Sequence, residues 1–337
     1  MLIEEHKSLK SFNTFGIDCK ARYFASVTTV AELKTLLSKQ VHPSHFVLGG
    51  GSNLLLTQDI DALVVHVNLK GITVLSEDHG TITLEVSAGE NWHEFVMHCV
   101  AHDYGGVENL SLIPGNMGTA PIQNIGAYGV ELKDVFVSCK ALEIDGLTER
   151  TFNRSDCQFG YRDSIFKNEA KGKHIITSVV LKLTTKSHEL STSYGAIKNQ
   201  LEVQNVISPS IKDVSDAVIA IRRSKLPDPA KIGNSGSFFK NPVIGTDDFQ
   251  KFRLAYPNAP FYEVSPTEFK IPAGWLIEQA GFKGQRYGDA GVHKNQALVL
   301  VNHGEATGSE LWELALKIQK KVKEDFGIYI EPEVNVI

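Results

Sequence analysis

A mixed α+β protein of more than one domain is what this sequence predicts, and three observations predict it. Segments of strict apolar–polar alternation, the period of a strand, interleave with segments at helical spacing. Residues 105–130 break both periods with Gly105, Gly106, Gly115, Gly118, Gly126, Gly129 and two prolines; irregular stretches of that length in a compact protein are usually functional. The 337 residues, at about 150 per domain, leave room for about two domains.

In chain order, the first fifty residues read as strand, helix, strand. Thr29-Val30-Ala31-Glu32 has the form of a capping box, with Leu33, Leu36 and Leu37 as the apolar face behind it. His45–Leu48 reads as a short buried strand running into Gly49-Gly50-Gly51. Between Thr81 and Ala88, the residues Ile82, Leu84, Val86 and Ala88 alternate with polar ones, the pattern of a half-buried strand. Asn91 caps a helix whose inner face is Trp92, Phe95, Val96, Cys99 and Val100. Strand patterns resume around 135–144 and 175–183. Asp213 is expected to open a helix ending in the cations Arg222, Arg223 and Lys225, which suit a helix C-terminus, and Pro227 stops it. Pro272 and Gly281 bracket a short helix. Ser309 is expected to cap the last helix, which runs to Phe326, and a terminal strand is expected over 328–337.

Composition excludes several classes. The balance of 34 basic against 39 acidic residues, net −5, lacks the basic excess of an electrostatic nucleic-acid binder. Apolar runs such as Ala297–Val301 fall far short of the ~20 residues a membrane helix needs. Glu4, Glu5 and Lys7 leave no room for a secretory signal at the start. The cysteines Cys19, Cys99, Cys139 and Cys157 form no CxxC pair and read as reduced structural thiols. A soluble cytoplasmic protein is expected.

The chemistry is concentrated in loops. Leu48-Gly49-Gly50-Gly51-Ser52-Asn53 and Ile113-Pro114-Gly115-Asn116-Met117-Gly118-Thr119-Ala120-Pro121 are rich in glycine and small polar residues, which let backbone N–H groups line up on a phosphate. Neither matches G-x-G-x-x-G or G-x-x-x-x-G-K-[ST], so the pattern points to a pyrophosphate site of another kind. His98 and His102 stand four apart without H-E-x-x-H, and no metal site is expected. Arg162, after Tyr161, offers a planar guanidinium suited to a carboxylate. Ser237 stands on a glycine-rich turn before Phe238, Phe239, Lys240 and Asn241, with no histidine–aspartate pattern to make it a nucleophile, which favours an acid/base role. Glu333, between Pro332 and Val334, would be a buried carboxylate if its neighbours face inward.

Taken together and in order, Asn13-Thr14-Phe15-Gly16, Gly49–Asn53, Pro114–Gly129, Gly160-Tyr161-Arg162, Arg223–Pro227, Gly236–Pro242, Ala273–Ile277 and Glu331–Val334 resemble the UDP-N-acetylenolpyruvoylglucosamine reductases, the MurB-type flavoenzymes. The resemblance covers nearly the whole chain. Ser191–Gly195 is similar to the tyrosine loop of the family's longer type. The resemblance implies an α+β fold: a two-subdomain FAD-binding unit of the PCMH/vanillyl-alcohol-oxidase type and an α/β substrate-binding domain. The expected boundaries are 1–70, 71–205 and 206–327, with 328–337 returning to the active site. It also implies FAD, non-covalent because no histidine follows Gly49–Gly51, and NADPH as co-substrate. Expected at the cofactor are Gly49, Gly50, Gly51, Ser52, Asn53, Pro114, Gly115, Gly118, Thr119, Ala120, Gln123, Asn124, Gly126 and Ala127.

The reaction implied is reduction of the enolpyruvyl ether of UDP-N-acetylglucosamine, in peptidoglycan precursor synthesis. Hydride goes to the terminal vinyl carbon and a proton to its neighbour, through an enolate beside a carboxylate. Fixed donors where that charge develops are the largest expected source of rate. Arg162 matches the family's carboxylate-polarising arginine, Ser237 its proton donor and Glu333 its enol-stabilising acid. Lys240 or water would support the serine alkoxide. Tyr161, Tyr194, Lys225, Asn241 and Gln296 match substrate-binding positions. A monomer working on small molecules alone is expected. The alternatives are a flavin oxidase of the same superfamily, or a non-catalytic binder of FAD or nucleotide sugar.

Overall fold

The structure, a computed structural model, describes residues 1–337. In chain order it contains β1 (Glu4–Ser8), β2 (Lys20–Val27), α1 (Val30–Ser38), β3 (His45–Leu48), β4 (Leu54–Leu55), β5 (Ile60–Val67), β6 (Ile72–Asp78), β7 (Thr81–Ser87) and α2 (Trp92–Ala101). There follow β8 (Gly126–Ala127), β9 (Val130–Glu131), β10 (Phe136–Glu143), β11 (Glu149–Asn153), β12 (His174–Thr184), α3 (Gly195–Val203) and α4 (Ile211–Lys225). The chain ends with β13 (Val243–Gly245), α5 (Thr246–Ala255), β14 (Tyr262–Ser265), β15 (Glu268–Lys270), α6 (Ala273–Gln279), β16 (Arg286–Tyr287), β17 (Ala290–Val292), β18 (Leu300–Asn302), α7 (Gly308–Phe326) and β19 (Asn335–Val336). No helix is long and apolar enough to cross a membrane.

These elements form two compact units: one of residues 1–7, 21–50 and 60–224, the other of 8–20, 51–59 and 225–337. Division after Ser224 leaves α4 with the first unit, whereas the boundary expected near residue 205 gave it to the substrate-binding domain.

The first unit holds two sheets. One has the order β1-β2-β5-β3, with β5 parallel to both β2 and β3. The other is antiparallel with the order β11-β10-β12-β7-β6. Each has its own core because each amphipathic helix covers a different sheet. Leu33, Leu36 and Leu37 of α1 pack with Val27, Leu63 and Val65. Trp92, Phe95, Val96 and Cys99 of α2 pack with Leu84, Val86, Val179 and Leu181. Strand β7 buries Ile82, Leu84 and Val86, as its alternation predicts. Strand β3 departs from expectation: only Leu48 is buried, because β3 is an edge strand, and Val47 is 39% exposed.

In the second unit, α7 buries Leu311, Leu314, Ala315, Ile318 and Val322 along one stripe. Trp275 of α6 packs against Phe252, Tyr256 and Phe326. The small sheets are β13-β15-β14 and β16-β17-β18, and β19 lies parallel to β4. All four cysteines of the chain are buried and free.

The caps correct three expectations. Thr307, not Ser309, caps α7, in a reciprocal box with Glu310, while the Ser309 hydroxyl donates to the Thr57 carbonyl at 3.1 Å. Three residues past Ser309 stands Trp312, which cannot reach back as an acceptor, whereas Thr307-x-x-Glu310 satisfies two orphan N–H groups. At α4 the cap is Ser210, whose N–H and hydroxyl donate to the Asp213 carboxylate at 2.9 and 2.6 Å, so Asp213 is the third residue of the turn and not its opener. At the C-terminus only Asn335–Val336 is strand; residues 328–334 pair through a single bridge, Phe239 with Pro332. Two expected caps stand: Thr29 accepts from the Glu32 N–H at 3.1 Å, and Asn91 from the Glu94 N–H at 3.0 Å.

Candidate active site

In the first unit the two glycine-rich loops abut. The 115–118 segment is pinned from below: Gly115 accepts from the Trp92 N–H at 2.9 Å, while Met117 and Gly118 donate to Glu90 and Ala88 at 2.8 Å each. A Cβ at Gly49 would stand 2.7 Å from Thr119 Cγ2. At Gly50 it would stand 2.8 Å from Asn116 Oδ1 and 2.9 Å from Gly115 Cα. Glycine at both positions is therefore dictated by the close approach of another backbone. The N–H groups of Gly50, Gly51 and Ser52 donate to no acceptor of the chain, and consecutive free N–H groups form an anion-binding concavity. These residues fit the pyrophosphate of FAD. Gly115, Gly118 and Ala120 are buried, Thr119 and Ser52 half-buried and Pro114 exposed.

Next along the same loop, Asn124 is fully buried with a left-handed φ of 44°. Its amide Nδ2 donates to the Gly160 carbonyl at 3.0 Å and to Glu131 Oε2 at 3.2 Å, and its Oδ1 accepts from the Lys133 N–H at 3.0 Å. Asn124 thus braces its loop against the turn in which Gly160 and Asp163 exchange backbone bonds at 3.0 and 3.4 Å. Arg162 lies inside that turn at φ 54°, a region that costs a non-glycine residue about 1–2 kcal/mol. Strain of this kind collects at functional sites. The Arg162 Nη2 donates to the Gly126 carbonyl at 2.6 Å, and its guanidinium stands 5.5 Å from the Tyr161 ring. Gln123 and Ala127 are half-buried beside it in sequence.

Replacing Asn124 by alanine strands a carbonyl and an N–H and leaves a residue without a local amide in the left-handed region. The expected loss is about 2–4 kcal/mol of stability, read as a fall in the thermal or denaturant midpoint.

Tyr194, immediately before α3, is half-exposed and meets the ring of Tyr128 edge-on at 5.5 Å. Tyr128, with φ 53°, hydrogen-bonds through its side chain to Arg222. The sequence reading gave Arg222 only to the end of α4. The cue that identifies it is its place four residues after Val218, on the buried stripe of that helix.

In the second unit a short antiparallel ladder joins the serine turn to the C-terminal segment. The Glu333 N–H donates to the Phe238 carbonyl at 2.8 Å, Phe239 pairs with Pro332, and the Lys240 N–H donates to the Glu331 carbonyl at 2.9 Å. Ser237 therefore lies one residue from the register partner of Glu333, although 95 positions separate them in sequence. Asn53 joins the same group: its Nδ2 donates to the Glu333 carbonyl at 3.3 Å, and its own carbonyl accepts twice from Asn335, at 3.1 and 3.0 Å. The Lys240 ammonium stands 3.8 Å from Glu331. Asn241 Oδ1 accepts from the Ala273 N–H at the start of α6 at 2.9 Å, which leaves its amide NH2 for a ligand. A Cβ at Gly274 would come within 3.2 Å of Gln296 Oε1, so Asn241 and Gln296 meet at the same helix end. Lys225 is exposed.

Comparison with known proteins agrees with this division of labour. A model of the FAD binding domain matches residues 21–151, and one of the UDP-N-acetylenolpyruvoylglucosamine reductase C-terminal domain matches residues 228–337. The chain is 58% identical over 337 residues to the UDP-N-acetylenolpyruvoylglucosamine reductase of Flavobacterium johnsoniae, covering 100% of both. It is 50% identical over 339 residues to that of Amoebophilus asiaticus, again covering 100% of each. Among solved structures, the crystal structure of UDP-N-acetylenolpyruvylglucosamine reductase (MurB) from Thermus caldophilus superposes with a TM-score of 0.68 at 24% identity, over 100% of this chain and 99% of that one, a likeness of fold.

Proposed function

The chain belongs to the UDP-N-acetylenolpyruvoylglucosamine reductase family, and on that premise we propose that it reduces the enolpyruvyl ether of UDP-N-acetylglucosamine to UDP-N-acetylmuramate with NADPH. The observation that carries this reading is the ladder between Ser237–Lys240 and Glu331–Glu333. It seats a hydroxyl and a carboxylic acid one register step apart on segments that the related flavin oxidases would lack. Non-covalent FAD, when bound, takes hydride from NADPH and passes hydride to the substrate.

The chain's own residues do the rest. The N–H groups of Gly50, Gly51 and Ser52 hold the pyrophosphate. Arg162, fixed by its bond to Gly126, holds the substrate carboxylate and draws charge toward it. Once hydride has added to the terminal vinyl carbon, the neighbouring carbon carries the electron pair and Ser237 gives it the hydroxyl proton, which solvent then restores. Glu333, protonated, donates a hydrogen bond to the enolate oxygen. Tyr161, Tyr194, Lys225, Asn241 and Gln296 hold the nucleotide sugar, with the Lys225 ammonium suited to phosphate.

The test is direct. The purified protein should show a flavin spectrum, oxidise NADPH only when UDP-N-acetylglucosamine enolpyruvate is present, and stay reduced in its absence. Rapid reoxidation by air without the sugar would make it an oxidase. Ligand binding without NADPH consumption would make it a binder.

A further inference from the structure

The first unit holds a second guanidinium that the reaction as described leaves without work. Arg222 lies in the last turn of α4, where Arg223 and Lys225 are both exposed. A cation there suits the helix dipole, but the exposed neighbours serve that purpose without desolvation. Arg222 alone turns inward, and its Nε is enclosed with no hydrogen-bond partner. Its side chain bonds to that of Tyr128, and the charges acting on it are those of Tyr128 and Arg162, with no carboxylate among them. Burial and the like charge of Arg162 both push its protonation constant down, against the favourable effect of Tyr128.

Both guanidinia are anchored on one short segment: Arg162 donates to the Gly126 carbonyl at 2.6 Å, and Arg222 bonds to Tyr128 two residues on. Tyr128 is itself held, since Asn109 Nδ2 donates to its carbonyl at 3.2 Å and to that of Ser191 at 2.8 Å. Two part-buried cations brought together without an acid are unfavourable until an anion enters.

We propose that Arg222 is a second cation of the substrate site, matched to the negative charge that develops on the enolate, while Arg162 matches the carboxylate present throughout. The proposal rests on the reductase reading above. Its charge logic is simple. The enolpyruvyl group enters with one negative charge; hydride addition makes it two, and protonation by Ser237 returns it to one. A cation that answers the second charge acts in the transition state and little in the ground state, so its loss lowers the rate and not the affinity. Tyr128 is a positioning residue, holding Arg222 by its hydroxyl.

Single-turnover experiments on the FAD-loaded protein separate the outcomes. Arg222→Gln should slow reoxidation of the reduced enzyme by the enolpyruvyl sugar about 10²–10³-fold, the usual cost of one preorganised donor. Reduction by NADPH should change less than about 3-fold, and the Kd for UDP-N-acetylmuramate, measured by calorimetry, less than about 10-fold. Arg222→Lys should recover about a tenth of the lost rate factor or more, because charge returns without the planar fork. Tyr128→Phe, which leaves the guanidinium in place, should slow reoxidation about 10-fold and keeps the test alive should Arg222→Gln fail to fold. Unchanged reoxidation in the variants overturns the proposal. So does a fall in affinity for UDP equal to the fall in rate, which would make Arg222 a phosphate ligand, or a shifted flavin potential or lost FAD, which would make it a flavin ligand. A wild-type protein that never turns over the sugar defeats the reductase reading instead.

Discussion

Ser237→Ala leaves the reduction of the flavin by NADPH at the wild-type rate and slows its reoxidation by the enolpyruvyl sugar about 10²–10⁴-fold, the range in which a positioned proton donor acts. The split follows from where the proton is needed. Hydride transfer from NADPH moves no proton through the serine, whereas the second half-reaction ends with a carbon that must gain one. The methyl group of alanine removes the proton without disturbing the ladder, because the Glu333–Phe238 and Lys240–Glu331 bonds use backbone atoms alone. Stopped-flow measurement of the two half-reactions decides it. Equal slowing of both would assign Ser237 to the architecture of the turn and leave the proton to another group.

Gly50→Ala is expected to cost the protein its FAD. The new methyl would sit 2.9 Å from Gly115 Cα and 2.8 Å from Asn116 Oδ1. The first neighbour is backbone and cannot swing away, so the two glycine-rich loops must part. Overpacking of this sort costs about 1–3 kcal/mol by itself. Displacing an N–H group from the pyrophosphate removes a charge-assisted bond worth about 1.5–3 kcal/mol more. Together these weaken FAD binding by roughly a hundredfold or more, read by equilibrium dialysis or by flavin fluorescence. Thermal unfolding of the apoprotein provides the control. If FAD affinity survives while apoprotein stability falls, the close approach serves folding alone and the pyrophosphate lies elsewhere.

Local chemistry was legible residue by residue. The alternation of Thr81–Ser87 returned as a strand buried on one face, and the cap at Asn91 opened its helix as read. Where local reading missed, a competitor nearby in sequence or a position in the sheet explains the miss. Thr307 with Glu310 outbid Ser309 because a reciprocal cap satisfies two orphan donors where the serine could satisfy one. His45–Leu48 looked buried from its apolar run, but an edge strand has a neighbour on one side only. Arg222 was read as a helix-end cation, and its inward turn was hidden until the Tyr128 side chain was seen beside it.

Sequence by itself determined the types of element, the glycine-rich loops that must lie close to something, and the family, because these rest on short-range periodicity and on motifs that occupy consecutive positions. Tertiary structure alone decided which of those motifs meet. It laid Glu333 beside the residue after Ser237, bound Asn124 to the turn that holds Arg162, and anchored Arg162 and Arg222 two residues apart on one strand. The physical reason is that such encounters are set by backbone pairing and side-chain packing between segments far apart in the chain, for which the order of residues along it carries no local period to read.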